Sequence, residues 1–411
     1  MYSTPSTVVL TLLFLVFLGK ILLTLIRARR LRKLMPPGPP GLPLLGNILQ
    51  IPTKDVWWRF LEWSQEYGPI FSLDFAGKPV VVLNTYETAT DLLDRRSGIY
   101  ADRPDLPMVN NILSGGMNLG FMHYGDLWRK FRRAIHENFN IHAAKAFEPM
   151  QTREAISFVS CILDDPHRWE LDIKRFAASV VLRITYGWSL YDDSCGLSVE
   201  DKDRQVDEIN SITHALSHAL VQGSYLVNSF PTLLYVPKWL PGAGWKREGL
   251  DANKRWTKKF IGLVGDVRAK GAGKSDHCLS ANLIENEERF GLDKRETAWL
   301  AGVMLAISHN PAVFTDPQEF RPERFLNPDD KDQHELSAED ESSSKVRPNP
   351  DKLYAFGFGR RICPGMHLAN NSLFIAAATL LWACDITNAL DEDGNAIIPD
   401  MNALFDTGLG M

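Results

Sequence analysis

The chain has 411 residues, 45% of them hydrophobic and 23% charged, with 11 Trp and 21 Phe. That composition supplies a large core and excludes a disordered or collagen-like chain. With 45 basic against 50 acidic residues the net charge is −5, and basic residues cluster only locally, so no nucleic-acid partner is expected.

Five cysteines (Cys161, Cys195, Cys278, Cys363, Cys384) are an odd number, widely spaced, with no C-x-x-C. Neither a disulfide scaffold nor a structural zinc site fits that spacing.

Val8 to Ile26 is apolar apart from Lys20, and Arg27, Arg29, Arg30, Arg32 and Lys33 follow directly. At about 1.5 Å per residue the run nearly crosses a bilayer core of ~30 Å. A cleavable leader would carry its positive charge before the apolar run, so residues 1–34 are expected to be a single-pass anchor. The basic flank then places the C-terminal body in the cytoplasm. Residues 35–46 contain P-P-G-P-P-G-L-P (Pro36–Pro43), a stiff extended hinge, and 47–411 form the body.

Within the body, Val56–Tyr67 has helical spacing and is stopped by Gly68-Pro69. Ile70–Leu73 and Pro79–Leu83 predict a hairpin around Gly77. Thr85 caps a predicted helix to Leu93. Further helices are predicted at about 125–138, 143–163, 170–187, 205–222, 250–269 and 297–308. Asp329–Pro350 is acidic and Ser-rich, a surface loop. The fold class is therefore mainly α with a small β part.

The most informative segment is F-G-F-G-R-R-I-C-P-G, Phe356 to Gly365. Glycines and a proline around one Cys suit a tight loop that turns backbone N–H groups toward the sulfur, and such a thiolate is a good metal ligand. The apolar helix from Met366 to Cys384 adds a favourable N-terminal dipole. This loop resembles that of the cytochrome P-450 family, F-x-x-G-x-R-x-C-x-G, with Phe356, Gly359, Arg361, Cys363 and Gly365 at every fixed position. F-R-P-E-R-F (Phe320–Phe325) and W-R-K-F-R (Trp128–Arg132) are similar to two further family segments, and anchor and hinge match its membrane-bound fungal members.

The resemblance implies a cytochrome P-450 fold binding haem b, with Cys363 as axial ligand to iron and Trp128, Arg132 and Arg361 as haem contacts. It implies a haem-thiolate monooxygenase of the endoplasmic reticulum membrane. Such an enzyme inserts one oxygen atom of O2 into an apolar small molecule in secondary metabolism or detoxification, with electrons from an NADPH-dependent flavoprotein reductase. Arg129, Lys130 and Arg133 form a basic face for that partner or simply a solvated helix face. The substrate pocket draws on Asp105–Met122 and Val206–Trp245, and Tyr225–Leu240 could also dip into the bilayer surface.

Two family elements are absent. Ala301-Gly302 is followed by V-M-L-A-I-S, without the acid and Thr that the family uses to deliver protons, so no catalytic residue stands out beyond the haem ligand. No Arg has a Glu three residues before it, so the E-x-x-R partner of Arg324 is missing. The join near Leu305–Ala306 predicts an incomplete fold lacking roughly a hundred residues. Two readings stay open here: an active monooxygenase, or a relic of one that lacks the proton-delivery helix.

Overall fold

The computed structural model describes residues 33–304, apart from 43–44, 53–55, 76, 192–197, 222 and 272–277, together with 356–388, 394–396 and the single positions Gly19 and Ile26. Most of the run Val8–Ile26, Cys195, the P-E-R-F segment with Arg324, and the acidic stretch Asp329–Pro350 lie outside the described residues. Among the described residues no helix is long and apolar enough to cross a membrane. The chain divides into two compact units, one of residues 1–100, 311–360 and 398–411, the other of 101–310 and 361–397.

In the first unit, helix α1 (Val56–Tyr67) has the bounds its sequence predicts, and Gly68 ends it at φ +99°. Strands β1 (Ile70–Phe75) and β2 (Lys78–Leu83) pair antiparallel, with Ile70 opposite Leu83, and form the β part of the described residues. Their inner face and α1 close over Trp63, Phe71 and Leu73, with Trp63 and Phe71 packed edge to face at 6.1 Å.

The Pro-rich segment is seated on this hairpin. Ser72 donates its N–H to Pro37 O at 2.9 Å and its hydroxyl to Pro36 O at 2.6 Å. Asn47 donates to Pro39 O at 3.1 Å, and Gln50 to Pro40 O at 2.8 Å. Proline cannot donate, so its carbonyls are the groups available for docking, and all four bonds use them. The seat leaves no room for side chains: a Cβ on Gly38 would lie 2.0 Å from Ser72 O, and one on Gly46 (φ +61°) 2.0 Å from Asp74 O.

Thr85 caps helix α2 (Tyr86–Ala89) by accepting from Thr88 N–H. The helix expected to run on to Leu93 instead widens into a π-helical turn, Thr90–Arg95.

The second unit is helical. Helix α3 (Asp126–Phe139) buries Trp128, Phe131, Ala134, Ile135 and Phe139. The single helix expected at 143–163 is two, Ile141–Lys145 and α4 (Glu148–Asp164), because Asn140 caps a separate turn through His142 and Ala143 N–H. Helices α5 (Trp169–Tyr186), α6 (Val199–Leu220) and α7 (Gly244–Lys270) follow, the last two starting some six residues before their predicted bounds. Helix α8 (Leu279–Glu285) is absent from the sequence reading. Helices α9 (Lys294–Met304) and α10 (Met366–Ala383) complete the set used below.

Two features lock this core. Gly302 on α9 faces the Phe260 ring so closely that a Cβ would sit 2.5 Å away, and Trp299 meets the same ring edge-on at 5.3 Å. Buried Glu154 on α4 accepts from Ser179 (2.5 Å) and Ser189 (2.9 Å) and pairs with Arg183 at 3.3 Å. A buried carboxylate is tolerable only when its lone pairs are satisfied in this way.

Candidate active site

The loop that carries the cysteine is held separately at its two ends. In the first unit, Gly359 sits at φ +54°, where a Cβ would lie 2.0 Å from Leu93 O, and its N–H donates to the Asp94 carboxylate. The π-helical turn supplies both contacts, since Leu93 and Asp94 belong to it. Tyr86 packs against Phe358 at 6.2 Å, and Phe356 is half-buried. The glycine of the motif thus has a steric cause here: only a residue without Cβ fits against the Leu93 carbonyl.

In the second unit, Arg361 spreads its guanidinium over three backbone carbonyls: Ala101 O at 2.6 Å, Met122 O at 2.9 Å and Leu119 O at 3.4 Å. Its Cζ also lies 4.6 Å from the centroid of the Trp128 ring. One helical turn further along α3, Arg132 donates to Ile362 O, next to Cys363. The i, i+4 spacing of Trp128 and Arg132 therefore does put both on one helix face, toward the cysteine loop. Of the residues read from the motifs, Trp128, Arg132, Arg361 and Cys363 come together in this unit.

Cys363 is half-buried. Burial raises its thiol pKa, while the Gly365 N–H bonded to the sulfur and the positive charge of Arg132 act the other way. Gly365 is the N-cap of α10, so the donor sits at the N-terminal end of that helix. The C-terminal end of α9 reaches the same place, with Met304 Cε 3.6 Å from where a Gly365 Cβ would be.

Arginine is crowded here. Burial pushes the Arg361 guanidinium down to about 10, and Arg103 and Arg132 add repulsion that Asp102 partly offsets. Burial also lowers Arg132 and Arg103. Among the described residues none of these three has a carboxylate ion pair. Arg132 and Arg361 are half-buried, and half-buried cations without a counter-charge are costly, so the place is prepared for an anion. A haem, with two carboxylates at its edge and an iron that takes a thiolate, fits this donor set.

Sequence reasoning missed what holds the segment 101–124. Arg103 donates to Gly120 O at 3.1 Å. Asp102 accepts from Tyr124 N–H and Arg103 N–H, each at 2.8 Å, and from His123 Nδ1 at 3.2 Å. The Tyr124 N–H is the main reason its carboxyl is held below the usual range. The expected basic face is reduced: Arg129 pairs with Asp126, and Lys130 with Glu296 at 3.0 Å, leaving Arg133 exposed.

A cysteine in a glycine loop at a helix start, flanked by half-buried arginines in a helical body, defines a haem-thiolate type of protein. The comparisons with known proteins agree. The family model described as Cytochrome P450 matches residues 36–242 and 302–403. Cytochrome P450 monooxygenase 58 of Postia placenta is 34% identical over 466 residues, covering 90% of this chain and 85% of that protein. Tryptamine 4-monooxygenase of Psilocybe cyanescens is 29% identical over 470 residues, covering 89% and 88%. The chain belongs to the cytochrome P450 family, whose members are monooxygenases with thiolate-ligated haem iron, a redox partner and small-molecule substrates. The first alignment is also longer than the part of this chain it covers. Ninety per cent of 411 residues is about 370, so roughly a hundred of its 466 positions face no residue of this chain.

Proposed function

We propose that this chain is a membrane-bound haem-thiolate monooxygenase that oxidises an apolar small molecule in secondary metabolism or detoxification. The observation that carries the reading is the convergence of Cys363, Arg132, Trp128 and Arg361 within one unit. Bound haem supplies the oxygen chemistry. Cys363 holds the iron, and its Gly365 N–H donor moderates the charge on the sulfur. Arg132 and Arg361 would supply the positive charge for the haem carboxylates, and Arg361 also fixes the segment 101–122 through its backbone carbonyls.

Support for an apolar substrate comes from that segment, where Met108, Val109, Ile112 and Leu113 are buried, and from Val206, Ile209 and Ile212 on α6. Asn228 links the two regions by accepting from Met108 N–H at 3.1 Å and donating to Ala219 O at 2.9 Å. Electrons come from an NADPH-dependent flavoprotein reductase, for which Arg133 remains an exposed basic contact. Residues 1–34 anchor the chain in the endoplasmic reticulum membrane with the body in the cytoplasm, and exposed Leu226, Phe230, Tyr235 and Trp239 add apolar contact with the bilayer surface.

The test is a reduced, CO-bound absorption spectrum of the full chain in microsomes. Wild type should show the thiolate-ligated signature; Cys363→Ala should lose it, while Cys161→Ala and Cys278→Ala keep it. An unchanged spectrum in the Cys363 variant would sink the assignment. Removing residues 1–33 should release most of the protein from the membrane fraction, and glycosylation at Asn370 would overturn the orientation.

A further inference from the structure

Helix α10 has two unlike sides. Toward the core, Leu368 is buried and Ile375, Ala376, Leu380 and Ala383 pack on it. There Gln151 of α4 donates to Leu368 O at 2.9 Å and to Ser372 Oγ at 2.7 Å. The other side carries Leu373, Phe374, Ala377, Ala378, Leu381 and Trp382, two rows at four-residue spacing. All six are exposed, the large ones strongly: Leu373 67%, Phe374 74%, Leu381 69% and Trp382 87%. The stripe contains no polar side chain.

Taking ~200 Å² for each aromatic and less for each leucine, the stripe exposes on the order of 600 Å². That is at the upper end of what a soluble monomer leaves in one patch. It is also close to the ~800 Å² that each partner buries in a stable complex. Ile386, just beyond the helix, is also 66% exposed.

The order of side chains names an occupant. Read in either direction the stripe runs large, large, small, small, large, large. A two-fold axis between Ala377 and Ala378 sets Leu373 against Trp382 of a second copy, Phe374 against Leu381, and Ala377 against Ala378. Small residues at the centre let two helices approach closely, and the four-residue rows are the ridges that interdigitate in the commonest helix packing. An interface that repeats itself under a two-fold axis closes at two copies. Antiparallel helices also bring opposite dipole ends together. We propose that two copies of this chain pair through α10, antiparallel about an axis between Ala377 and Ala378.

The test uses the full chain in density-matched detergent micelles, with mass read by sedimentation equilibrium. Wild type should give twice 46.3 kDa. Phe374→Lys or Leu381→Glu alone should give the single-chain mass, with the dissociation constant raised at least 100-fold. Both positions are exposed, so the helical circular dichroism should be unchanged. An equimolar mixture of the two variants should recover the dimer, because the antiparallel register sets position 374 opposite position 381. A parallel pair or a nonspecific cluster would not recover. A single-chain mass for wild type, a dimer that survives either substitution, polydisperse aggregates, or no recovery on mixing would each overturn the proposal. Loss of the dimer in phosphatidylcholine vesicles, with the stripe shielded by lipid, would assign the face to a bilayer instead.

Discussion

Arg361 lies with its guanidinium carbon 4.6 Å from the centroid of the Trp128 indole while its nitrogens hold the carbonyls of Ala101, Leu119 and Met122. A flat ion that stacks with its face and donates with its edge joins α3, the segment 101–122 and the cysteine loop at one point. The arginine of the loop motif therefore has a structural task of its own in this chain.

Arg361→Lys tests that task. An ammonium is a point charge that cannot reach three carbonyls in a fork or stack on the indole. Hydrogen bonds to charged groups are worth about 1.5–3 kcal/mol each, and the lysine should keep one of them. The expected loss is about 3 kcal/mol, seen as a lower Tm by thermal unfolding. Faster proteolysis within 101–122 should accompany it. A wild-type Tm in this variant would mean that the carbonyls are satisfied some other way.

The helices were legible because each buries one face: α1 and α3 start and stop within a residue of their predicted bounds. The π-helical turns Thr90–Arg95 and Met108–Leu113 were not, since an extra residue in a turn leaves the apolar pattern almost unchanged. Within the site, Cys363, Arg361, Trp128 and Arg132 were readable as residue types at fixed spacing. What holds them was not. The acceptors for Arg361 and Arg132 are backbone carbonyls, which every residue has, so no side chain marks them. Asp94, which receives Gly359 N–H, is one acid among several in its stretch and is singled out only by geometry.

Gly46→Ala should unseat the Pro-rich segment. The residue is left-handed at φ +61°, and its Cβ would lie 2.0 Å from Asp74 O, backbone that cannot swing aside. Strain and clash together should cost at least ~2 kcal/mol and expose residues 33–46 to limited proteolysis. Gly77→Ala is the control: φ is +87° but nothing lies within 4 Å of its Cβ, so it should cost only ~1 kcal/mol. Equal effects from both would show that the close approach at Gly46 contributes nothing.

Glu154→Ala removes the acceptor shared by Ser179, Ser189 and Arg183 inside the second unit. Breaking one side of a buried pair typically costs ~3–5 kcal/mol, because the remaining charge and hydroxyls stay desolvated. At ~2–4 °C per kcal/mol for a large domain, Tm should fall by about 10 °C. Glu154→Gln keeps shape and acceptor and should lose less than half of that. If the two variants unfold together, the Arg183 ion pair carries the whole effect and the hydroxyl bonds none of it, and the shared-acceptor account fails.

Asp102 makes the stability of the segment 101–124 depend on pH. Its carboxyl is held below its ordinary 3.8, first by the Tyr124 N–H and then by Arg103 N–H and His123. A folded-state pKa below the unfolded one means that the contribution is complete above 3.8 and is lost as pH falls through the folded value. The side chain is 61% exposed, so solvent screening keeps the effect modest. Asp102→Asn should therefore lower Tm at pH 7 by a small, measurable amount. The gap to wild type should hold constant above 3.8 and close only as the pH falls below it, through the lowered folded-state value. Thermal unfolding of both proteins across that range reads the difference directly. A gap independent of pH would mean that the side-chain oxygen acts as a neutral acceptor. Its negative charge would then do nothing to offset the crowded arginines Arg103 and Arg361.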